Sequence, residues 1–299
     1  MIEQKSSGTN QMIEKMIPAI LFVIASVSIL TTLGIVLTLI FETVTFFSIV
    51  PISEYLTATK WYPFGETATF GVLPLVVGTL KITLIASLVA IPLGLAAAIY
   101  LSEYATDRSR RIIKPVLEVL AGIPTIVYGF FALTFVTPVL KNVIPDLAIF
   151  NALSPGIVVG IMILPMIASL SEDAMSSVPN AMREGALAMG STKLEVTLKV
   201  VLPAAISGIV ASIVLAVSRA IGETMIVTVA GGATPSLDWN MTESIQTMTA
   251  YIVQVTTGDA GFGTVKYYSI YSVGFTLFVF TLVMNLLAQF ISKRFREEY

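Results

Sequence analysis

Arg219 and Glu223 lie four residues apart near the middle of an apolar stretch, residues 204–230. An ionisable side chain there costs about 2.5–3.5 kcal/mol on insertion scales, so it faces a partner or a polar cavity. On a helix the i, i+4 spacing puts both on one face, where they can pair. Gly222 shares that face and leaves room for a close approach, while Ser218 and Thr224 add hydroxyls nearby. Two readings follow: a purely structural salt bridge, or the lining of a path for an anion. Arginine suits an oxyanion because its planar fork offers several donors to phosphate-like oxygens. Glu223 would then orient Arg219, keep the empty site near neutral and limit how tightly an anion is held.

Other chemistry is excluded by composition. The chain has no Cys and no His, which removes thiol nucleophiles, Ser-His-Asp triads and the usual zinc, copper or haem ligands. No G-x-x-x-x-G-K-[ST] occurs, so there is no phosphate cradle for ATP. No apolar stretch contains Asp, so an intramembrane aspartyl pair is absent as well. A net charge of -2 without a basic patch argues against nucleic acid. No metal and no cofactor is expected in this chain.

The elements that must position Arg219 are membrane helices. Of the 299 residues 56% are hydrophobic and 12% charged, with mean hydropathy +0.89. Soluble domains carry about twice that charge fraction. Six runs are each long enough to cross a bilayer as a helix: 17–41, 72–101, 116–140, 153–170, 204–230 and 267–291. The expected fold is all-α and polytopic. A polar tail 1–16 precedes a first helix and outer loop over 17–71. A core of five helices follows over 72–291, and then a tail, 292–299. The first run is too long for the apolar part of a signal peptide. In the second, 82–101 alone would suffice to cross, leaving 70–80 as an interfacial segment. Lys81 would then be a snorkelling anchor at the outer surface, or a cation at the mouth of an anion path.

Pro92, Pro124 and Pro165 fall inside these runs and should bend them. Gly156-x-x-x-Gly160 and Gly208-x-x-x-Ser212 permit close helix contact. With both termini in the cytoplasm, Lys5, Lys15, Arg108, Arg110, Arg111, Lys114, Arg183, Lys193, Lys199, Lys293, Arg294 and Arg296 fall inside, and only Lys60, Lys141 and Lys266 outside. That bias fixes the orientation.

Residues 176–203 form an unusual cytoplasmic loop. Pro179 and Asn180 can start a helix, and Glu184, Ala186, Leu187, Ala188 and Met189 sustain one. Gly190 ends it, as a left-handed residue would. Leu194 to Val201 form a second stretch, closed by Leu202-Pro203. Read as E-G-A-x3-G-x9-V-x-L-P, from Glu184-Gly185-Ala186 through Gly190 to Val200 and Leu202-Pro203, the loop resembles the "EAA" signature of permease subunits in binding-protein-dependent ABC importers. Gly185 stands where that family has Ala, and Val200 where it has Ile. The resemblance implies a coupling helix that docks in a groove on an ATPase subunit. Ala186, Leu187 and Met189 would supply apolar contact, and Glu184 a polar anchor. ATP and Mg would be bound by that partner.

The string Arg219-Ala220-Ile221-Gly222-Glu223-Thr224 resembles the R-A-x-G-E-T element of phosphate ABC permeases. Trp61-Tyr62-Pro63, Phe70-Gly71 with Pro74 and Gly78-Thr79-Leu80, Pro92-Leu93-Gly94, Tyr100-Leu101-Ser102-Glu103-Tyr104 and Gly122-Ile123-Pro124-Thr125 fit the same family. Ser244-Ile245-Gln246-Thr247-Met248-Thr249 and the last run resemble the C-type (PstC) subunit more than its A-type sister. The agreement covers roughly residues 60–291.

The resemblance implies a type I (MetI-like) permease in a prokaryotic plasma membrane. It would work with a homologous second permease, two ATPase subunits and an extracellular phosphate-binding protein that meets the outer loops 53–70 and 233–266. Phosphate would pass Arg219 with no bond-breaking step in this chain. Another oxyanion such as sulfate or molybdate, or a membrane-embedded enzyme or sensor, are the alternatives.

Overall fold

A computed structural model describes residues 8–64, 67–258 and 260–294. Parts of both expected tails, with Lys5 and Arg296 of the charge count, lie outside the described residues. The chain is helical almost throughout. Helix α1 (Gly8–Ile49) starts inside the expected polar tail and passes well beyond residue 41. It stops just ahead of Pro51, whose ring disfavours helix at the residue before it. A short α2 (Ile52–Thr57) leads to a two-stranded hairpin, β1 (Trp61–Tyr62) and β2 (Thr69–Phe70), with Trp61 opposite Phe70.

Helix α3 (Leu73–Ile99) runs unbroken through Pro92 and ends in a π-turn over Tyr100–Tyr104. The shorter second span is therefore not adopted. Lys81 sits inside the helix and is 1% exposed, so it is no surface anchor; its Nζ donates to the Asn240 carbonyl at 3.3 Å.

The expected third span is broken. Helix α4 (Asp107–Gly122) meets α5 (Thr125–Phe131) at an 89° bend. α5 continues through a π-turn over Ala132–Val136 into α6 (Thr137–Lys141). Gly122-Ile123-Pro124 explains the break: Pro124 excludes Ile123 from helical backbone, and Ile123 is extended at φ -67, ψ 129. α4 also carries Arg110, Arg111, Lys114 and Glu118 on its sides and buries no residue.

Helix α7 (Leu153–Ser176) extends six residues beyond the expected fourth span. Helix α8 (Asn180–Ala188) is separate, but α9 (Lys193–Val196), a π-turn over Thr197–Val201 and α10 (Leu202–Ile221) are continuous. Leu202-Pro203 thus does not close the second stretch of the loop. Pro203 lacks the N–H that Lys199 would accept in an α-turn, and the π-turn just before it absorbs the mismatch. The chain breaks again at Gly222–Thr224, before α11 (Met225–Ala230). α12 (Met248–Thr257) lies within the expected outer loop, and α13 (Val265–Arg294) closes the fold. Among the described residues five helices are long and apolar enough to cross a membrane, or six if α4 with α5 and α6 counts as one span.

The core forms where α7 packs between α3 and α10. Both small-residue pairs serve this packing. A Cβ on Gly156 would lie 2.7 Å from the Cβ of Ile85, and one on Gly160 2.9 Å from the Ala86 carbonyl oxygen. Gly208 faces Ala174 across the other interface, where the Ser171 and Ser212 hydroxyls meet at 2.7 Å.

Candidate functional site: an inner cavity and an exposed helix

Arg219 stands in the last turn of α10 and opens onto a cavity of 270 Å³. α4 supplies Lys114, Leu117, Glu118 and Ala121 to its wall. Met162, Pro165, Met166 and Ser169 of α7, together with Leu101, complete the lining. No ion pair joins Arg219 to Glu223 among the described residues, so the expected pairing is corrected. The helix ends at Ile221, and the i, i+4 geometry ends with it. Gly222 is the C-cap rather than a gap for close approach; a Cβ there would meet only carbonyls of its own last turn.

Glu223 is buried and turned to other work. Its Oε1 accepts the Ile226 N–H at 3.2 Å, capping α11, and its carbonyl accepts the Thr249 hydroxyl at 2.7 Å. A carboxylate at a helix start satisfies donors that would otherwise be orphaned in an apolar setting. Thr224 donates to the Gly222 carbonyl at 3.1 Å. Ser218 donates to Asn285 of α13 at 2.9 Å. Of the five residues expected at the path, Arg219 alone lines the cavity; Gly222, Glu223 and Thr224 shape the helix break beside it, and Ser218 ties α10 to α13.

The loop residues singled out from the sequence fall on α8 and in the turn that follows it, apart from Leu202 and Pro203 at the start of α10. α8 buries none of its residues. Met189 is 87% and Leu187 49% exposed, Glu184 and Gly185 are open, and Ala186 packs inward against Val178, Val196 and their neighbours. Gly190 has φ +86. Its N–H donates to the Leu187 carbonyl at 2.9 Å and Ser191 N–H to the Ala186 carbonyl at 3.2 Å, the hydrogen-bond pair of a Schellman turn. Thr192 and Glu195 then cap α9 reciprocally.

Two charged groups at this end were not singled out from the sequence. Arg183 of α8 donates to Glu103 at 3.1 Å and to the Met175 carbonyl at 2.7 Å, tying the helix to the ends of α3 and α7. Glu172, 1% exposed, pairs with both Arg110 and Lys114 of α4. The i, i+4 placement of Arg110 and Lys114 was the available signal for a shared acid. Glu172 itself lay beyond the expected end of its span.

Residues of the two loops expected on the outer side, 53–70 and 233–266, line one cleft. Lys60, Trp61, Tyr62 and Phe64 face Thr234, Pro235, Gln246 and Gln254 across a cleft of 670 Å³. Trp61 packs edge-on against Tyr251 at 4.8 Å, and Lys266 lies 4.2 Å over the Phe64 ring. Beneath the hairpin, burial pushes the Tyr55 phenol up to about 12, against the effect of its 2.8 Å hydrogen bond to Thr276.

Comparison with known proteins meets this geometry. Residues 90–297 match the family model for the binding-protein-dependent transport system inner membrane component. The chain is 35% identical over 241 residues to a probable ABC transporter permease protein, YqgH, of Bacillus subtilis, covering 81% of this chain and 78% of the relative. It is 34% identical over 279 residues to the phosphate transport system permease protein PstC 1 of Mycobacterium tuberculosis, covering 81% and 82%. In fold it resembles the inward-facing MetNI methionine ABC transporter, with TM-score 0.55 and 17% identity over 76% of this chain and 95% of the other.

Proposed function

This chain belongs to the binding-protein-dependent transport system inner membrane component family and is a multi-pass protein of the plasma membrane; from that premise we propose that it is the C-type permease subunit of an ATP-driven importer of inorganic phosphate. The observation that carries the reading is the Arg219 guanidinium on the wall of the inner cavity. It offers a planar set of donors to a tetrahedral oxyanion. Glu223 supports it indirectly, by fixing the chain where α10 ends.

The sister permease completes the path, and both termini face the cytoplasm. Two ATPase subunits hold ATP and Mg, and they grip α8 through Leu187, Met189 and Glu184. The Gly190 turn and the start of α10 at Leu202-Pro203 carry their motion inward. An extracellular phosphate-binding protein meets the cleft between the two outer loops. The chain itself makes and breaks no bond.

The test is uptake of labelled phosphate by cells or vesicles, normalised to assembled complex, with sulfate and molybdate as controls. Arg219→Gln should abolish phosphate uptake and leave assembly intact. Arg219→Lys should restore only part of it, because an ammonium keeps the charge and loses the fork. Normal uptake by Arg219→Gln would refute the reading, and preferential uptake of sulfate or molybdate would reassign the substrate.

A further inference from the structure

The inner cavity contains a second cation that the phosphate reading leaves unused. Lys114 shares the cavity wall with Arg219, Ser169 and Glu118, so the wall carries two cations against one carboxylate. Lys114 also reaches α7: its Nζ lies 2.5 Å from Glu172 Oε2 and 3.6 Å from Asp173 Oδ1. Glu172 is almost fully buried, and a buried carboxylate must remain paired. It does not depend on Lys114 alone. Arg110 pairs with Oε1, and the Ser176 hydroxyl donates to the same oxygen at 3.2 Å. Arg110 and Lys114 stand one turn apart on α4, so one can hold the acid while the other leaves. The Lys114 side chain is 35% exposed, and its stem is flexible with three donors at the tip.

From this geometry we infer that Lys114 is the second anion-binding group of the inner cavity, exchanging Glu172 for an oxyanion held against Arg219. The inference rests on the phosphate reading and adds to it the residue that receives the anion on the α4 side. No bond is made in the exchange and the ammonium keeps its proton. Glu172 passes to Arg110 while the anion is present. The anion must displace a carboxylate to bind, so its hold stays weak enough for release.

The chain has no cysteine, so Ser169→Cys places a single thiol on the cavity wall. In the assembled importer, the rate of thiol modification is followed as inorganic phosphate is added, each variant against its own phosphate-free rate. Phosphate should protect the thiol. Lys114→Gln should raise the protecting concentration about tenfold, the size of one charge-assisted hydrogen bond. Glu172→Gln should lower it, because Lys114 is then free in advance. Opposite signs in these two variants support the inference. If Lys114 were only a tie between α4 and α7, both changes would loosen the cavity and raise the concentration together; that result, or an unchanged value in Lys114→Gln, overturns it. If Lys114→Gln fails to assemble, Glu172→Gln decides alone: a lower value supports the inference, and an unchanged or higher one overturns it. No protection in the parent overturns the phosphate reading itself, and the inference with it.

Discussion

Replacing Gly190 with Val tests whether the turn after α8 belongs to the ATPase-docking surface. Gly190 has φ +86, and a Cβ there would meet nothing within 4 Å. The penalty is therefore backbone strain alone, without a packing clash. A left-handed L-residue costs roughly 1–2 kcal/mol, and a β-branched one stands at the upper end. The free chain can escape that strain by leaving the left-handed region. It then gives up the Gly190-to-Leu187 and Ser191-to-Ala186 hydrogen bonds and lets Met189 swing away. Docking would have to restore the turn, so ATPase affinity should fall about 5- to 30-fold. Gly190→Asn is the control, since Asn tolerates the left-handed region, and it should stay within a few-fold of the parent. The assay is titration of purified ATPase onto permease in nanodiscs, with membrane insertion checked separately. If Gly190→Val binds as tightly as Gly190→Asn, the turn is not part of the docking surface and the reasoning fails.

Other outcomes are equally specific. A cysteine at Ser109 should resist an impermeant thiol reagent in intact cells while one at Lys60 reacts; the reverse pattern would invert the proposed orientation. Gly156→Val should destabilise the purified protein by about 1–3 kcal/mol of overpacking, read as a lower thermal midpoint, because its Cβ would sit 2.7 Å from Ile85. Gly34→Val, with nothing within 4 Å, should not, and equal behaviour of the two would refute the α3–α7 packing account. Glu223→Ala should destabilise the protein by about 1 kcal/mol, the scale of a lost helix cap, and Glu223→Gln by less. Arg219→Gln with Glu223→Gln should not recover transport; recovery in the double variant would restore the ion-pair reading.

The apolar runs at 153–170 and 267–291 were legible in the sequence because burial and helical length both write themselves as hydropathy. The Gly190 turn was legible because one glycine between two helical patterns has few other uses. The break after Ile221 was not. Gly222 reads as a small residue on a helix face until Glu223 is seen capping α11, a short helix with no periodicity of its own. The bend at Pro124 was placed correctly but expected as a kink within a span. Its 89° size depends on the charges along α4, which favour lying beside α7 over continuing as a straight apolar helix. Lys81 was misplaced because sequence records its charge but not the carbonyl of Asn240, distant along the chain, that receives it. The α12 segment was hidden by its polar flanks, and its Thr247 cap is the signal that was available.

The continuous helix from Lys193 to Ile221 has a mechanical consequence. Lys193 and Arg219 lie about 39 Å apart along one axis at 1.5 Å per residue. Such a rod acts as a lever: a tilt of about 10° at the Lys193 end displaces the guanidinium by roughly 7 Å over that length. Its one irregularity is the π-turn at Thr197–Val201, which stores a residue of slack. Drawing that slack into regular α-helix would twist everything beyond it by about 100°, turning Arg219 from the cavity wall toward another face. Push and twist would therefore reach the cavity through separate features of one helix, the first through its length and the second through a single loose turn.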